Sequence, residues 1–221
     1  MPLFVCATPI GNLEDCSPRL ARTLKEADLV LAEDTRRAAK LLHHFGITAR
    51  MSSMNQHSEA SRIGPALGLL QQGKNVALVT DSGTPTVSDP GGRLVAAAHQ
   101  AGIKVVPVPG PSAVTAALSA AGMPADRFCF SGFPPKKGRQ GFFTRLLDCP
   151  ETAVIFESPF RIQRTLADIA KLDPRRKVVV CRELTKVYEE ILSCAAEDAA
   201  AKVKPRGEFV VVIEKKKREI T

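Results

Sequence analysis

The sequence predicts an α/β protein with a mostly parallel sheet in its first half and a mixed sheet in its second half. Short apolar runs alternate with helical segments along the first half, and this alternation is typical of parallel strands joined by crossover helices. In the second half, the run 189–192 follows the strand 178–181 closely enough to pair with it antiparallel. A chain of 221 residues suits two small domains, and we place them at 1–113 and 114–221.

The first domain is expected to contain five strands, each a short and mostly apolar run that ends in a loop. These strands are 3–7, 29–32, 50–52, 75–79 and 104–108. Ser17 before Pro18 is typical of a helix start, and Gly46 suits the position just after a helix end. Further helices are expected at 58–73, at 93–100 and from 112 onward.

The second domain is expected to form its strands after the Gly- and Pro-containing break at 121–125. The expected strands are 127–131, 153–156, 178–181 and 208–213, and the helices fall near 141–148, 162–172 and 195–203. A run of four basic residues, 215–218, follows the last strand and is expected to be a solvated charge run.

The loop at 80–92 is the feature on which the functional prediction depends. It follows an apolar run typical of a buried strand and contains three glycines and two prolines. Glycine lets the backbone approach a ligand closely, and proline stiffens a loop. Loops at the carboxyl ends of strands are where open α/β sheets bind small molecules. The alternative is a tight turn with no ligand.

Three other strand-to-helix loops also carry Gly, Pro or acidic residues. They are 8–12, 33–36 and 109–113. In a parallel sheet they share one edge with the loop 80–92, and this convergence predicts a small-molecule site more strongly than any single loop does. None of the four has the spacing of a dinucleotide-binding or phosphate-binding glycine loop.

Composition limits the class of partner. The formal net charge is +8, with 11 basic and 9 acidic residues in 1–110 and 20 basic and 14 acidic residues in 111–221. This asymmetry favours a polyanionic partner such as RNA, although a generically basic protein is the alternative. Aromatic residues make up only 5% of the chain, so phosphate and ribose contacts are expected rather than base stacking.

Several classes of protein are not expected from this sequence. Six scattered cysteines without CxxC spacing favour a reducing cytoplasm over a disulfide framework, and no signal peptide or membrane-spanning run is visible. No metal site is expected, because the four histidines lack ligand spacing and the adjacent His43 and His44 cannot share a helix face.

The loops together resemble the tetrapyrrole methylase superfamily. The matching strings are Ala7–Asp15 (ATPIGNLED), Ala32–Arg36, Asp81–Pro85, Ser88–Gly91, Pro109–Ala113, Gly132–Phe133, Glu157–Pro159, Arg182–Lys186 and Arg206–Phe209. They cover nearly the whole chain. The strings ATPIGNLED, EDTR and RELTK resemble the branch that methylates ribosomal RNA rather than the branches that act on porphyrins or corrins.

The resemblance implies a fold, a cofactor and a reaction. It implies two α/β domains with S-adenosylmethionine bound in the cleft between them, and a homodimer. It implies methylation of the ribose 2′-hydroxyl of a cytidine in 16S ribosomal RNA of the small subunit. Among the departures from the pattern, Phe160 stands where the branch has histidine, and a C-terminal helical extension found in many members has no counterpart here, so its RNA contacts are expected to be absent or replaced.

Candidate site residues follow from the loops and from the resemblance. The candidate catalytic residues are Glu33, Asp34, Arg36, His57, Glu59 and Asp89. The candidate cofactor-binding residues are Pro9, Asp81, Ser82, Gly83, Thr84, Pro85, Asp89, Pro109, Gly110, Ser112, Ala113 and Glu157. The candidate RNA contacts are Arg36, Arg37, Lys136, Lys137, Arg139 and Lys186.

Structural interpretations compete with these roles. Asp34 also suits a helix N-cap, Glu59 a first-turn acid, and Asp89 a turn before Pro90. Glu157 and Lys186 also suit ion pairs. Two other functions stay open, a methylase of tetrapyrroles or other small molecules and a non-catalytic RNA-binding assembly factor. The basic second half disfavours the first, and the Gly- and Pro-rich loops disfavour the second.

Overall fold

The computed structural model describes residues 1–216 and divides the chain into two compact units. The first unit is Met1–Ser112, and the second begins at Ala113. The boundary therefore lies just before a helix. The break at 121–125 is instead the loop that follows that helix. Two residues of the basic run, Lys217 and Arg218, lie outside the described residues.

The first unit is a parallel five-stranded sheet in the order β3-β2-β4-β1-β5. Its strands are β1 (Leu3–Cys6), β2 (Leu29–Ala32), β3 (Met51–Ser53), β4 (Val76–Val79) and β5 (Val105–Val108). Its helices are α1 (Pro18–Lys25), α2 (Thr35–His44), α3 (Glu59–Gln71) and α4 (Gly92–Gln100). The expectation of a parallel sheet with helical crossovers is confirmed.

Apolar strands explain this arrangement. Every residue of β2 and β4 is buried, as both central strands are covered by helices. Ala77 and Val79 face one apolar cluster, while Val76 and Leu78 face another, so alternate residues of β4 fill the two sides of the sheet. The predicted start of α1 is confirmed, since the Ser17 hydroxyl accepts the Leu20 N–H at 3.1 Å and Pro18 opens the helix.

The second unit is a mixed five-stranded sheet in the order β6-β7-β10-β8-β9. Its strands are β6 (Phe128–Phe130), β7 (Thr152–Glu157), β8 (Lys177–Arg182), β9 (Glu190–Ala195) and β10 (Phe209–Ile213). Its helices are α5 (Ala113–Ala121), α6 (Arg139–Leu147), α7 (Ile162–Leu172) and α8 (Ala196–Lys202). The strand β10 runs antiparallel to both β7 and β8, and β9 pairs antiparallel with β8 as expected.

Within the described residues, no helix is both long and apolar enough to span a membrane.

Candidate active site

The carboxyl ends of β1 and β4 are joined by a pair of backbone hydrogen bonds. The Thr8 N–H donates to the Gly83 carbonyl at 2.8 Å, and the Gly83 N–H donates back to the Thr8 carbonyl at 3.1 Å. The buried Thr8 hydroxyl also donates to the Thr80 carbonyl at 3.2 Å. Gly83 has a φ of 80°, a conformation that side-chain-bearing residues rarely adopt. The loop 80–92 therefore begins from a fixed backbone position beside β1.

The loop after β5 is hydrogen-bonded to the loop 80–92 and packs against the end of β1. The Thr84 hydroxyl donates to the Pro111 carbonyl at 3.3 Å. A Cβ on Gly110 would lie 3.1 Å from the Ala7 Cβ, so glycine allows this loop to pack against the end of β1. The expected convergence of the loops 8–12, 80–92 and 109–112 at one edge is thus present in the first unit.

Asp34 acts as the N-cap of α2 and holds its neighbour Arg36. Its carboxylate accepts the Arg36 backbone N–H at 2.8 Å and three further bonds from the Arg36 guanidinium, at 3.0, 3.2 and 2.6 Å. These hydrogen bonds lower the Asp34 pKa to about 2. The structural interpretation of Asp34 is therefore present in the structure, and its carboxylate has little basicity left for proton transfer.

Asp81 and Glu33 link the loops after β2 and β4. The Asp81 carboxylate accepts the Asp34 backbone N–H at 3.0 Å and lies 3.6 Å from the Arg37 Nε. The Glu33 carboxylate accepts the hydroxyl proton of the buried Thr80 at 3.0 Å. The two carboxylates are only partly exposed, so this edge concentrates negative charge near the backbone of the loop 80–92.

Asp89 is the residue whose protonation is most altered here. Partial burial raises its pKa to about 6, the nearby Glu33 and Asp81 charges add to the rise, and the neighbouring Thr80 hydroxyl opposes it. The preceding backbone is strained, because Thr86 and Ser88 have φ values of 73° and 65° without being glycine. Such strain is found mainly where the surrounding structure holds a functional conformation.

Glu59 and His57 occupy different environments. The Glu59 carboxylate is buried and accepts the backbone N–H groups of Gly91 at 3.1 Å and Arg93 at 3.0 Å, so it caps the start of α4. This role, absent from the sequence interpretation, makes Glu59 a buried structural acceptor that closes the loop 80–92 and not a catalytic group. His57 is exposed in the turn before α3, where its backbone N–H donates to Asn55.

The remaining cofactor candidates of the first unit line the same loops. Pro9 and Ser82 are half-buried, Pro85 is buried, and Pro109 is exposed. Ser112 is the last residue of this unit, whereas Ala113 begins α5 in the second unit.

Glu157 is buried in the second unit with its carboxylate fully engaged. One oxygen accepts the Ser158 N–H at 2.7 Å and the Arg161 guanidinium at 2.8 Å, and the other accepts the Thr165 hydroxyl at 2.6 Å. These bonds leave little capacity for a ligand, so Glu157 is not retained among our proposed cofactor contacts. The expected alternative of an ion pair is present, and Arg161 is the partner.

Arg139 belongs to the same network and not to the surface. Its guanidinium donates to Asp168 at 2.7 Å and to Thr165 at 2.8 Å, and its Cζ lies 5.2 Å from the centroid of the Phe143 ring. Only 7% of the residue is exposed. An interior arginine held in this way cannot reach a phosphate, so it is likewise not retained as an RNA contact. Lys136 and Lys137, in the loop before it, are exposed.

The Lys186 side chain is only partly available for a contact with RNA. Its ammonium group donates to Glu183 at 2.8 Å and to Glu208 at 2.9 Å, which occupies two of its three N–H donors. The ion-pair alternative is therefore present in the structure.

The sequence interpretation missed Thr8, Thr80 and Arg161. Thr8 and Thr80 each come within two residues of the end of a strand and are buried, and their hydroxyls join the site loops. A polar residue directly after a buried apolar run was the available signal. The Arg161–Glu157 ion pair joins residues four positions apart and was a local signal that the sequence interpretation did not use, whereas the contact of Arg161 with the Pro134 carbonyl exists only in the folded sheet.

The geometry of the first unit suits a small cationic ligand. Glu33, Asp81 and Asp89 put acidic oxygens near exposed backbone at the end of a parallel sheet. Among residues 1–216, no group of three His, Cys, Asp or Glu side chains is arranged to hold a metal ion. Asp89, with its raised pKa, is a stronger base than an ordinary carboxylate and is ionised at neutral pH.

Known proteins resemble this chain along most of its length. The chain is 44% identical over 220 residues to ribosomal RNA small subunit methyltransferase I of Escherichia coli O157:H7. The alignment covers 96% of this chain and 77% of that protein. It is 45% identical over 219 residues to the protein of the same name from Pseudomonas aeruginosa, with 96% and 78% covered.

Solved structures of other proteins share this fold. A cobalt precorrin-4 methyltransferase superposes with a TM-score of 0.70 over 96% of this chain and 94% of its own, at 19% identity. The sequence profile of the tetrapyrrole (corrin/porphyrin) methylases matches residues 2–200. The chain belongs to the tetrapyrrole methylase family, and within it to the group of the ribosomal RNA small subunit methyltransferase I proteins.

Proposed function

We propose that this chain transfers a methyl group from S-adenosylmethionine to the ribose 2′-hydroxyl of a cytidine in 16S ribosomal RNA, in the cytoplasm and as a homodimer. The observation that carries the proposal is the 44% identity to a small-subunit ribosomal RNA methyltransferase over 96% of the chain. The acidic loop edge of the first unit and the exposed cations of the second support it physically.

The residues of the first unit fit the methyl donor. S-adenosylmethionine supplies an electrophilic methyl group on a positively charged sulfur, and it also carries an ammonium group. The carboxylates of Glu33 and Asp81 offer charge compensation for such cations. The backbone at 82–85 and 109–112 offers hydrogen-bond donors and acceptors that the joined loops hold in place. We assign donor binding to these residues.

Asp89 is the residue we assign to the acceptor. A ribose hydroxyl is a weak acid, so removal of its proton during transfer lowers the barrier. Asp89 combines partial exposure with a pKa of about 6, which makes it basic and still ionised at neutral pH. In this role Asp89 takes the 2′-hydroxyl proton. The hydrogen-bonded loops 80–92 and 109–112 hold the donor and the ribose in the geometry of an in-line displacement.

Exposed cations are assigned to RNA phosphates. Arg36 and Arg37 begin α2 at the acidic edge, and Lys136 and Lys137 lie in the loop before α6. Lys186 keeps one donor free beside its two carboxylate partners. These side chains supply the salt-dependent part of the affinity for RNA.

A methylation assay tests the proposal as a whole. Small subunits and naked 16S RNA, both from cells lacking this protein, are incubated with the purified chain and methyl-labelled donor, and the digested nucleosides are analysed by mass spectrometry. We expect 2′-O-methylcytidine at one position. A tetrapyrrole is offered as the acceptor in a parallel reaction. Label on the tetrapyrrole only, or on no acceptor in either reaction, would show that the assignment is wrong.

Donor binding is tested separately with S-adenosylhomocysteine in a calorimeter. Gly83→Val puts a branched side chain at a φ of 80° and against Ile10, whose Cγ2 would already lie 3.4 Å from a Cβ. We expect this change to abolish binding. Gly102→Val is the matched control, because Gly102 also has a positive φ but lies after α4, at the opposite edge of the sheet. Equal losses in both variants would refute the assignment.

A further inference from the structure

The carboxyl edge of the second sheet presents exposed aromatic side chains. The strands β6 and β7 are parallel, and Phe209 at the start of β10 pairs with both Glu157 and Arg182, so β6, β7 and β8 end at the same edge. Phe160 follows β7 and is 95% exposed, and Tyr188 follows β8 and is 71% exposed. One exposed apolar side chain would need no explanation, but Phe133 and Val187 are exposed in the loops of the same edge, and such a group indicates a contact surface.

The loop that carries Tyr188 is rigid. Glu183 and Thr185 have φ values of 51° and 66°, and the Lys186 ammonium group bridges Glu183 and Glu208. The Thr185 N–H also donates to the Glu189 carboxylate at 2.6 Å. Because the loop is held at several points, Tyr188 and its neighbour Val187 (92% exposed) are presented to solvent by the fold.

The loop that carries Phe160 is held in a similar way. The Arg161 guanidinium binds Glu157 at 2.8 Å and the Pro134 carbonyl at 2.9 Å, so it joins the loop after β7 to the loop after β6. Phe133 in that second loop is 52% exposed, and its ring packs edge-on against Phe156 with centroids 5.6 Å apart.

Unpaired positive charge lies in the loops of the same edge. Lys136, Lys137, Lys204 and Arg206 are exposed in the loops of this edge and form no ion pair within residues 1–216. The neighbouring acids Glu183 and Glu208 share the single positive charge of Lys186, so this group of three keeps a net charge of −1, which is smaller than the charge of the four unpaired cations. Such a surface attracts a polyanion and repels a second copy of itself.

We propose that this edge binds an unpaired stretch of RNA, with bases stacked on Phe160 and Tyr188 and phosphates held by its exposed lysines and Arg206. Aromatic stacking combined with cationic contacts is the way in which proteins bind single-stranded nucleic acid. The inference deepens the proposed function, on which it rests, because it names the conformation of RNA that the enzyme holds. It also revises the expectation that the few aromatic residues make stacking unimportant.

The test measures binding of a fluorescein-labelled oligocytidylate of about twelve nucleotides by anisotropy at several salt concentrations. Phe160→Ala and Tyr188→Ala are each expected to weaken binding roughly 10-fold without changing the salt dependence, because stacking involves no counterion release. Tyr188→Phe is expected to bind normally. Lys136→Gln is expected to reduce the slope of log K against log salt by about 0.7. Phe128→Ala is the control, since Phe128 is 41% exposed at the start of β6, on the opposite edge.

Two outcomes would overturn the inference. One is wild-type affinity for the oligonucleotide in both alanine variants. The other is a change of sedimentation in those variants with unchanged RNA affinity, which would show that a second copy of the chain covers the rings. Failure of the proposed function is distinguishable: wild-type protein would then leave ribosomal RNA unmethylated, although Phe160→Ala and Tyr188→Ala still weaken oligonucleotide binding.

Discussion

Asp89 shows how a single residue acquires chemistry from its surroundings. Partial burial and the charges of Glu33 and Asp81 raise its pKa from the ordinary 3.8 to about 6. If Asp89 accepts the ribose proton, kcat/KM for methyl transfer rises with pH through about 6 and reaches a plateau above it. Asp89→Asn is expected to lower kcat at least 100-fold with little change in the affinity for S-adenosylhomocysteine. A residual rate of the variant with the same pH profile would contradict the role.

The raised pKa of Asp89 also makes stability depend on pH, and stability falls over the pH range in which the activity rises. The folded protein binds the Asp89 proton more tightly than the unfolded chain does, so the free energy of unfolding falls as pH rises from about 4 to about 6. After allowance for solvent screening, the loss is about 1 kcal/mol. Urea denaturation across this range checks it. The difference between wild type and Asp89→Asn should change with pH, and a constant difference would show that Asp89 titrates normally.

Glu59 is a residue whose importance is structural. Its carboxylate is the acceptor for the Gly91 and Arg93 N–H groups, so Glu59→Ala leaves both N–H groups without that acceptor. We expect a loss of about 2–3 kcal/mol in the free energy of unfolding, and a loss of only about 1 kcal/mol for Glu59→Gln, which keeps an amide oxygen. Urea denaturation measures both. Equal losses would mean that the two hydrogen bonds contribute little.

At the scale of elements, the turn from the loop 80–92 into α4 depends on Gly91. Gly91 has a φ of 115°, and an added Cβ would lie 2.5 Å from the Leu78 Cδ2 in β4. Gly91→Ala is therefore expected to cost at least about 2 kcal/mol and to weaken binding of S-adenosylhomocysteine.

Gly92 is the matched control for this change. It is the first residue of α4, has no positive φ, and has no atom within 4 Å of an added Cβ. Gly92→Ala is expected to be neutral or stabilising by about 0.5 kcal/mol. Thermal unfolding of the pair checks the prediction, which fails if the two variants melt at the same temperature.

Elements of this chain were largely predictable, whereas their side-chain partners were not. The strands β2 and β4 were found because their apolar runs are continuous, and the start of α1 was found because Ser17 and Pro18 act within one turn. The cap of α4 by Glu59 was missed, because residues 32 to 34 positions apart must meet before that bond exists. Local signals identify local structure, and they carry no information on such contacts.

At the scale of the whole molecule, the second unit contains a buried charged network, and one of its members, Arg139, was assigned to RNA by the sequence analysis. Arg139 joins Asp168 and Thr165, and Thr165 in turn joins Glu157. Arg139→Leu leaves Asp168 without its partner and is expected to cost about 3 kcal/mol or more. The salt dependence of RNA binding should stay unchanged, in contrast to Lys136→Gln and Lys137→Gln. Chemical denaturation and RNA titrations check this, and a smaller salt slope in Arg139→Leu would return Arg139 to the RNA contacts.

The sequence by itself determined the α/β class, the parallel first sheet, the edge at which the loops converge and the resemblance to methylases. These features follow from apolar periodicity, from Gly and Pro positions and from contiguous motifs, all of which are local along the chain. Only the tertiary structure decided which side chains are engaged inside the protein and which are exposed to solvent. It engaged Arg139, Glu157 and Glu59 inside the protein and left Phe160 and Tyr188 exposed. The reason is that burial and hydrogen-bond pairing depend on which strands become neighbours.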